Sequence, residues 1–160
     1  MARLIPSDPA RGRLPIATAG LTLTAVDPGP VAWTRRDVPA PGRAVASDGA
    51  EGARRLWCGR GQALVLGGRA GAGDVDVSDG WTVLRLDGAA WREVLSRLTP
   101  LDLRGLGPGM TARTMLGHMT AQITPVADEA VEVMVMRSMT GTAVEEIAEA
   151  MARVQHRQEG

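Results

Sequence analysis

Leu21 to Val26 (LTLTAV) alternates apolar and polar residues, the period-two pattern of a strand with one face buried. The DPGP that follows ends it, because proline cannot donate to a ladder, and Val31–Thr34 resumes the extended run. Residues 35–53 (RRDVPAPGRAVASDGAEGA) show no period and are rich in Pro, Gly and Ala, which predicts an irregular excursion. Leu56–Cys58 and Gln62–Leu66 flank Gly59–Gly61, so WCGRGQALVL predicts a β-hairpin. Residues 67–79 are expected to be a second irregular connector. Their GGRAGAGD has the glycine content of a phosphate loop but not the G-x-G-x-x-G order.

From residue 80 the pattern sharpens. Trp81–Leu86 predicts a strand, and Asp87 stands where the N-cap of a short helix belongs. On that helix Trp91, Val94, Leu95 and Leu98 form one apolar stripe, and Thr99–Pro100 stops it. Thr111–Val126 reads as one strand bent near Pro125. Alternation through it places Thr114, Leu116, His118 and Thr120 on one side, with Met115, Gly117, Met119 and Ala121 on the other. Val131–Arg137 is a further strand. Thr142 and Glu145 form a capping box for a last helix whose apolar face is Val144, Ile147, Ala148, Met151 and Ala152. Residues 80–155 therefore read β-α-β-β-α. With residues 1–20 as an extended N-terminal arm, the chain is expected to be a single α+β domain: a ferredoxin-like antiparallel sheet with helices on one face.

Methionine adds a question to this picture. Six of the eight methionines fall between residues 110 and 139, and Met134 and Met136 share a strand face opposite Val131, Val133 and Val135. If helices cover one face of the sheet, the other still needs a cover, because broad apolar surfaces are rare on monomers. Two covers are open: a partner chain, with Met115, Met119, Met134 and Met136 as the candidate subunit interface, or the chain's own N-terminal strands. Methionine adapts to irregular partner surfaces, which favours the first.

Composition narrows the chemistry. The 160 residues carry a formal net charge of zero, so no field draws the chain to nucleic acid or an anionic membrane. All 18 basic residues are arginine, scattered singly or in pairs, in keeping with a codon-biased lineage. The absence of lysine excludes a Walker A loop and a pyridoxal Schiff base. A single cysteine, Cys58, excludes an internal disulfide and a multi-cysteine metal site. With no long apolar run and no secretion signal, the cytoplasm is the expected location. Phe and Tyr are absent, so platforms for stacking single-stranded bases are nearly missing.

Local catalytic patterns are wanting as well. No serine sits in a G-x-S-x-G elbow. His118, without a second histidine or a cysteine near it, is expected to be a sheet or interface residue, and Cys58 a small core residue. Asp74, Asp76 and Asp79 lack EF-hand spacing and read as a solvated turn.

The runs DGWTVLRLDGAAWREVLSRLTPLDLR, GMTARTMLGHM and VEVMVMRSMTGTAVEEIAEAM resemble the gamma subunit of heterotetrameric sarcosine oxidase, in its short alphaproteobacterial form. PARGRLPIATAGLTLTAVDPGP and RRLWCGRGQALVLG extend the likeness to about three quarters of the chain. The resemblance implies a fold related to the folate-binding domain of the glycine-cleavage aminomethyltransferase. It also implies a place in an alpha-beta-gamma-delta complex that converts sarcosine to glycine, passes the one-carbon unit to tetrahydrofolate and forms peroxide. FAD, FMN and NAD would then belong to the alpha and beta subunits and zinc to delta, with no catalytic residue, cofactor or metal in gamma. The family places helices where this chain has residues 35–53 and 67–77, so part of the sheet is expected to lose cover. Two other functions remain open. One is a folate-dependent one-carbon transferase drawing on Asp76, Asp102 and Arg113; the other is a homodimeric structural module pairing its apolar sheets.

Overall fold

The computed structural model describes residues 9–10, 12–46 and 52–160. Strands β1 (Ile16–Thr18) and β2 (Leu21–Val26) form a hairpin. After them come β3 (Val31–Thr34), β4 (Ala44–Ala46), β5 (Arg54–Gly59), β6 (Gln62–Leu66), β7 (Val75–Asp76) and β8 (Trp81–Asp87). Helix α1 (Trp91–Leu95) leads to β9 (Ala112–Leu116), β10 (Met119–Ala127) and β11 (Ala130–Met136), and helix α2 (Thr140–Glu159) ends the chain. A six-stranded antiparallel sheet runs β1-β2-β8-β11-β10-β9, and a five-stranded one runs β4-β5-β6-β3-β7. The architecture is α+β, and its helix-backed antiparallel sheet is of the ferredoxin-like kind.

Alternation assigns the faces of the six-stranded sheet. Leu21, Leu23, Leu84, Leu86, Ile123, Val131, Val133 and Val135 point to the helices, where Trp91, Val94 and Leu95 of α1 meet Val144, Ile147, Met151 and Val154 of α2. Val83 and Met134 point the other way, onto Val31, Leu56, Cys58, Leu64 and Leu66 of the five-stranded sheet. This chain's own strands thus cover the middle of the second sheet face. Met134, at 2% exposure, is a core residue and no part of a surface.

Several boundaries depart from expectation for local reasons. The predicted single strand Thr111–Val126 is two strands, because Gly117 at φ +56° opens a two-residue turn with His118 and returns the chain from Leu116 to Met119. Glycine at the first turn position, with a left-handed φ, is the requirement of the II′ geometry. This turn reverses the alternation. Met119 shares the helix-side face with Leu116, away from Met115, and is buried at 3% exposure. His118 lies in an exposed turn rather than within a strand. Residues 80–155 therefore run β-α-β-β-β-α. The bend near Pro125 is a register shift between Pro125 and Ala127, beyond the end of the β9 pairing, so the missing proline N–H breaks no bond to that neighbour.

Neither predicted cap forms. Asp87 ends β8 and accepts from Arg85 Nε at 2.9 Å, while α1 starts at Trp91 after Gly88–Ala90. Gly88 has φ +131°, and a Cβ there would stand 2.0 Å from Gly20 O, so the β1–β2 turn passes where only glycine leaves room. Helix α2 starts at Thr140, whose hydroxyl donates to Arg137 O, and Glu145 is free to pair with Arg13. Its buried stripe takes in Ala143, Ala150 and Val154 in place of Ala148 and Ala152.

The two stretches expected to be irregular hold the edge strands β4 and β7 and are anchored. Thr111 N–H donates to Gly42 O and Ala44 N–H to Gly109 O, stitching residues 42–44 to the approach to β9. In the second stretch Asp74 accepts from Gly71 N–H and from Arg36 Nη2, both at 2.9 Å. The N-terminal eight residues, Arg11 and residues 47–51 lie outside the described residues; the rest of the expected N-terminal arm includes β1, paired with β2.

Candidate subunit interface

Cys58, Asp74, Asp76, Asp102 and Arg113 are each engaged structurally. Cys58 is buried between the sheets, and burial pushes its thiol pKa up despite the guanidinium of Arg113, which opposes the shift; a thiol so placed is a poor nucleophile. Asp74 is held down to about 2 by the facing Thr34 hydroxyl, the Arg36 guanidinium and the Gly71 N–H. Asp76 is lowered by the hydroxyl and N–H of Ser78, which reach its Oδ1 at 2.6 and 3.0 Å. Asp102 is held to about 2 by Arg104, which grips it through two guanidinium nitrogens. Arg113 donates to Cys58 O at 3.3 Å. Asp76, Asp102 and Arg113 thus answer to three separate partners on three elements and form no common site.

His118 shares a shallow cleft of about 280 Å³ with Arg97, Glu146, Glu149 and Arg153. A Cβ on Gly117 would meet Glu146 Oε2 at 2.3 Å, so the glycine makes room for that carboxylate beneath the turn. Among the described residues, no group of three or more His, Cys, Asp or Glu side chains could hold a metal ion.

The methionines are resolved by reading the strand registers sideways across the face that looks toward the five-stranded sheet. The first row is polar: Thr24, Arg85 and Glu132 lie level, with Thr124 next. Glu132 is buried and ion-paired to Arg54 of β5. Close by, Thr111 Oγ1 and Thr124 Oγ1 share a hydrogen bond of 2.7 Å. The second row is Val26, Val83, Met134, Gln122 and Arg113. Gln122 Nε2 donates to Trp57 O at 2.8 Å, tying this row to β5. The second sheet covers the middle of both rows, at Glu132, Thr124, Val83, Met134 and Gln122, and leaves Arg85 half-buried and Arg113 exposed.

The third row is not. Trp81 pairs with Met136 and Thr120 pairs with Met115, and one step beyond the Ala121–Val135 pair Thr120 stands level with Met136. Met136 is 53% exposed and Met115 40%. Strands about 4.8 Å apart put these two methionines roughly 10 Å from each other across Thr120. Met139 at 36% exposure continues the apolar surface from the turn before α2. Beside Met136 opens a cleft of about 650 Å³ lined by Arg13, Asp79, Arg137 and Glu145 among others. Of the four methionines expected at an interface, Met115 and Met136 remain at the surface, while Met119 and Met134 belong to the two cores. Half-buried Trp81 and Thr120 complete their row, Trp81 also packing against the inter-sheet core. The signal that could have found them is the Gly117–His118 turn, which sets the register of β9 against β10.

No helix among the described residues is long and apolar enough to cross a membrane. No family model matches the chain, and no curated protein does. Among solved structures, a chain of the heterotetrameric sarcosine oxidase from Corynebacterium sp. U-96, in complex with pyrrole 2-carboxylate, superposes with a TM-score of 0.79 at 19% identity. The match covers 94% of this chain and 96% of that one. The two share a fold along nearly their whole lengths.

Proposed function

We propose that this chain is a gamma-type, non-catalytic subunit of a heterotetrameric sarcosine oxidase complex, stabilising it through contact with the alpha subunit. The observation that carries the reading is the end-to-end correspondence with one chain of such an enzyme. A shared domain inside a larger, unrelated protein would leave much of one partner unmatched; here almost nothing is left over.

The segments that resemble the gamma family support the reading by what they do. Pro100–Leu103 shapes the turn after α1, and Thr111–Met119 builds the hairpin carrying Met115. Arg137–Met139 forms the 3-10 turn that opens α2. All three are scaffold or surface. The exposed Met136 and Met115, with half-buried Trp81 and Thr120 in the same row, supply a surface for a partner. The complex, acting in the cytoplasm, would oxidise sarcosine to glycine, pass the one-carbon unit to tetrahydrofolate and form peroxide. Its FAD, FMN, NAD and zinc would reside in the alpha, beta and delta subunits.

Co-expression with the alpha, beta and delta subunits of a sarcosine oxidase from the same organism tests this. The expected result is a co-purifying complex with sarcosine-dependent peroxide formation, and loss of complex stability when this chain is left out. A chain that stays alone beside those subunits would defeat the reading.

A further inference from the structure

We propose that the outer edge of β9 accepts an extended strand from a partner polypeptide, one bearing an apolar residue level with Met115 and an acidic residue level with Arg113. The proposal rests on the subunit reading above and specifies how the contact is made.

The backbone comes first. A two-residue turn makes Leu116 and Met119 a hydrogen-bonded pair, and antiparallel pairs alternate from there. Leu116, Thr114 and Ala112 therefore bond to β10, while the N–H and C=O groups of Met115 and Arg113 face outward. Among the described residues none of those four groups has a backbone partner. The chain begins to cover this edge and then leaves it: residues 42–44 run against 109–111, and the path turns away at Ala40–Arg43. What remains is a short, open template of the kind that strand addition uses.

The side chains state what kind of strand fits. Met115 ends the exposed apolar row, so a residue added beside it extends that row by one place. Arg113 is exposed and enters no ion pair among the described residues; its polar contacts are the carbonyl and the thiol of Cys58, so no carboxylate faces it within the chain. Arginine on an edge ordinarily deters pairing. Alternating with an exposed methionine, it selects a carboxylate two positions from an apolar residue. A second copy of this chain fits less well. Two β9 strands paired about Thr114 would set each Arg113 against a Met115, leave both guanidinium groups without a carboxylate, and bury only a five-residue contact.

Amide hydrogen exchange on the full chain, free and in the complex purified after co-expression with alpha, beta and delta subunits from the same organism, is the test. In the free chain the Met115 and Arg113 amides should exchange quickly while those of Leu116 and Thr114 are protected. In the complex both outward amides should slow by at least about tenfold. Met115→Pro, which removes an N–H that β10 does not use, and Arg113→Glu should each weaken assembly about tenfold or more, with thermal midpoints of the free variants confirming that they fold. If the complex forms and the two amides keep their free rates, strand addition is wrong and the subunit reading stands. If no complex forms, both fall. Protection that appears in the free chain as it dimerises would make the occupant a second copy and overturn the assignment to a different partner.

Discussion

The two faces of the six-stranded sheet are buried by different means. On the helix side, leucine, valine and isoleucine from five strands meet Trp91, Val94 and Leu95 of α1 and the long stripe of α2, with no charged group among them. On the other side a smaller apolar cluster around Met134 shares the space with Glu132, Gln122, Thr111 and Thr124, each tied by a named hydrogen bond or ion pair. The helix side gains from area and packing, which tolerate no hole. The sheet–sheet side is fixed in register by polar bonds, and these orient more than they stabilise. Polar ties also limit how far the cover reaches. It ends at the Met134 row and leaves the row of Met136 and Met115 to solvent or to a partner.

That contrast can be broken most severely at Trp91. It is fully buried, and its indole N–H donates to Asp128 O at 2.9 Å. Trp91→Ala should cost about 3–5 kcal/mol in denaturant unfolding. Met134→Ala, in the smaller cluster, should cost roughly 2–3 kcal/mol, and a larger loss than for Trp91 would invert the ranking of the two cores. Glu132→Ala strands Arg54, but that side chain is 31% exposed and can turn to water, so the loss should be about 1–2 kcal/mol. The pair Arg54→Met with Glu132→Leu should recover most of it, as expected where an ion pair sets register.

Acid sharpens the comparison at the margin of the second sheet. Asp74 titrates at about 2 in the fold against 3.8 unperturbed, so its contribution is present above pH about 4 and is lost as pH falls toward 2. Over that window the thermal midpoint of the native chain should drop more steeply than that of Asp74→Asn. The smallest effect on the isolated chain belongs to the exposed row. Met136→Ser should change its stability by no more than about 0.5 kcal/mol while weakening recovery of the complex in co-purification.

Much of the fold could be read along the chain because alternation and stripe are local signals. LTLTAV, WTVLRL, VEVMVMR and the GRG hairpin all became strands, and Trp91, Val94 and Leu95 became the buried face of α1. The caps misled because Asp87 and Thr142 satisfy cap statistics while the chain places α1 and α2 elsewhere: Gly88 must clear Gly20, and Thr140 already bonds Arg137. Period-two alternation through TMLGHMT failed for a different reason. It has no term for a turn, and one left-handed glycine moved Met119 to the opposite face.

The sequence by itself determined β2, β3, β5, β6, β8 and β11, both helices, the lack of a recognisable catalytic pattern and the surplus of methionine, since each depends on residues close in the chain. Only the tertiary structure decided which methionines are surface. Burial of Met134 depends on Leu56 and Leu64, residues far away in sequence that pack against it only once the two sheets meet. Exposure of Met115 and Met136 depends on where that second sheet stops, and the long-range ties of Arg54 to Glu132 and Trp57 to Gln122 hold it in that register.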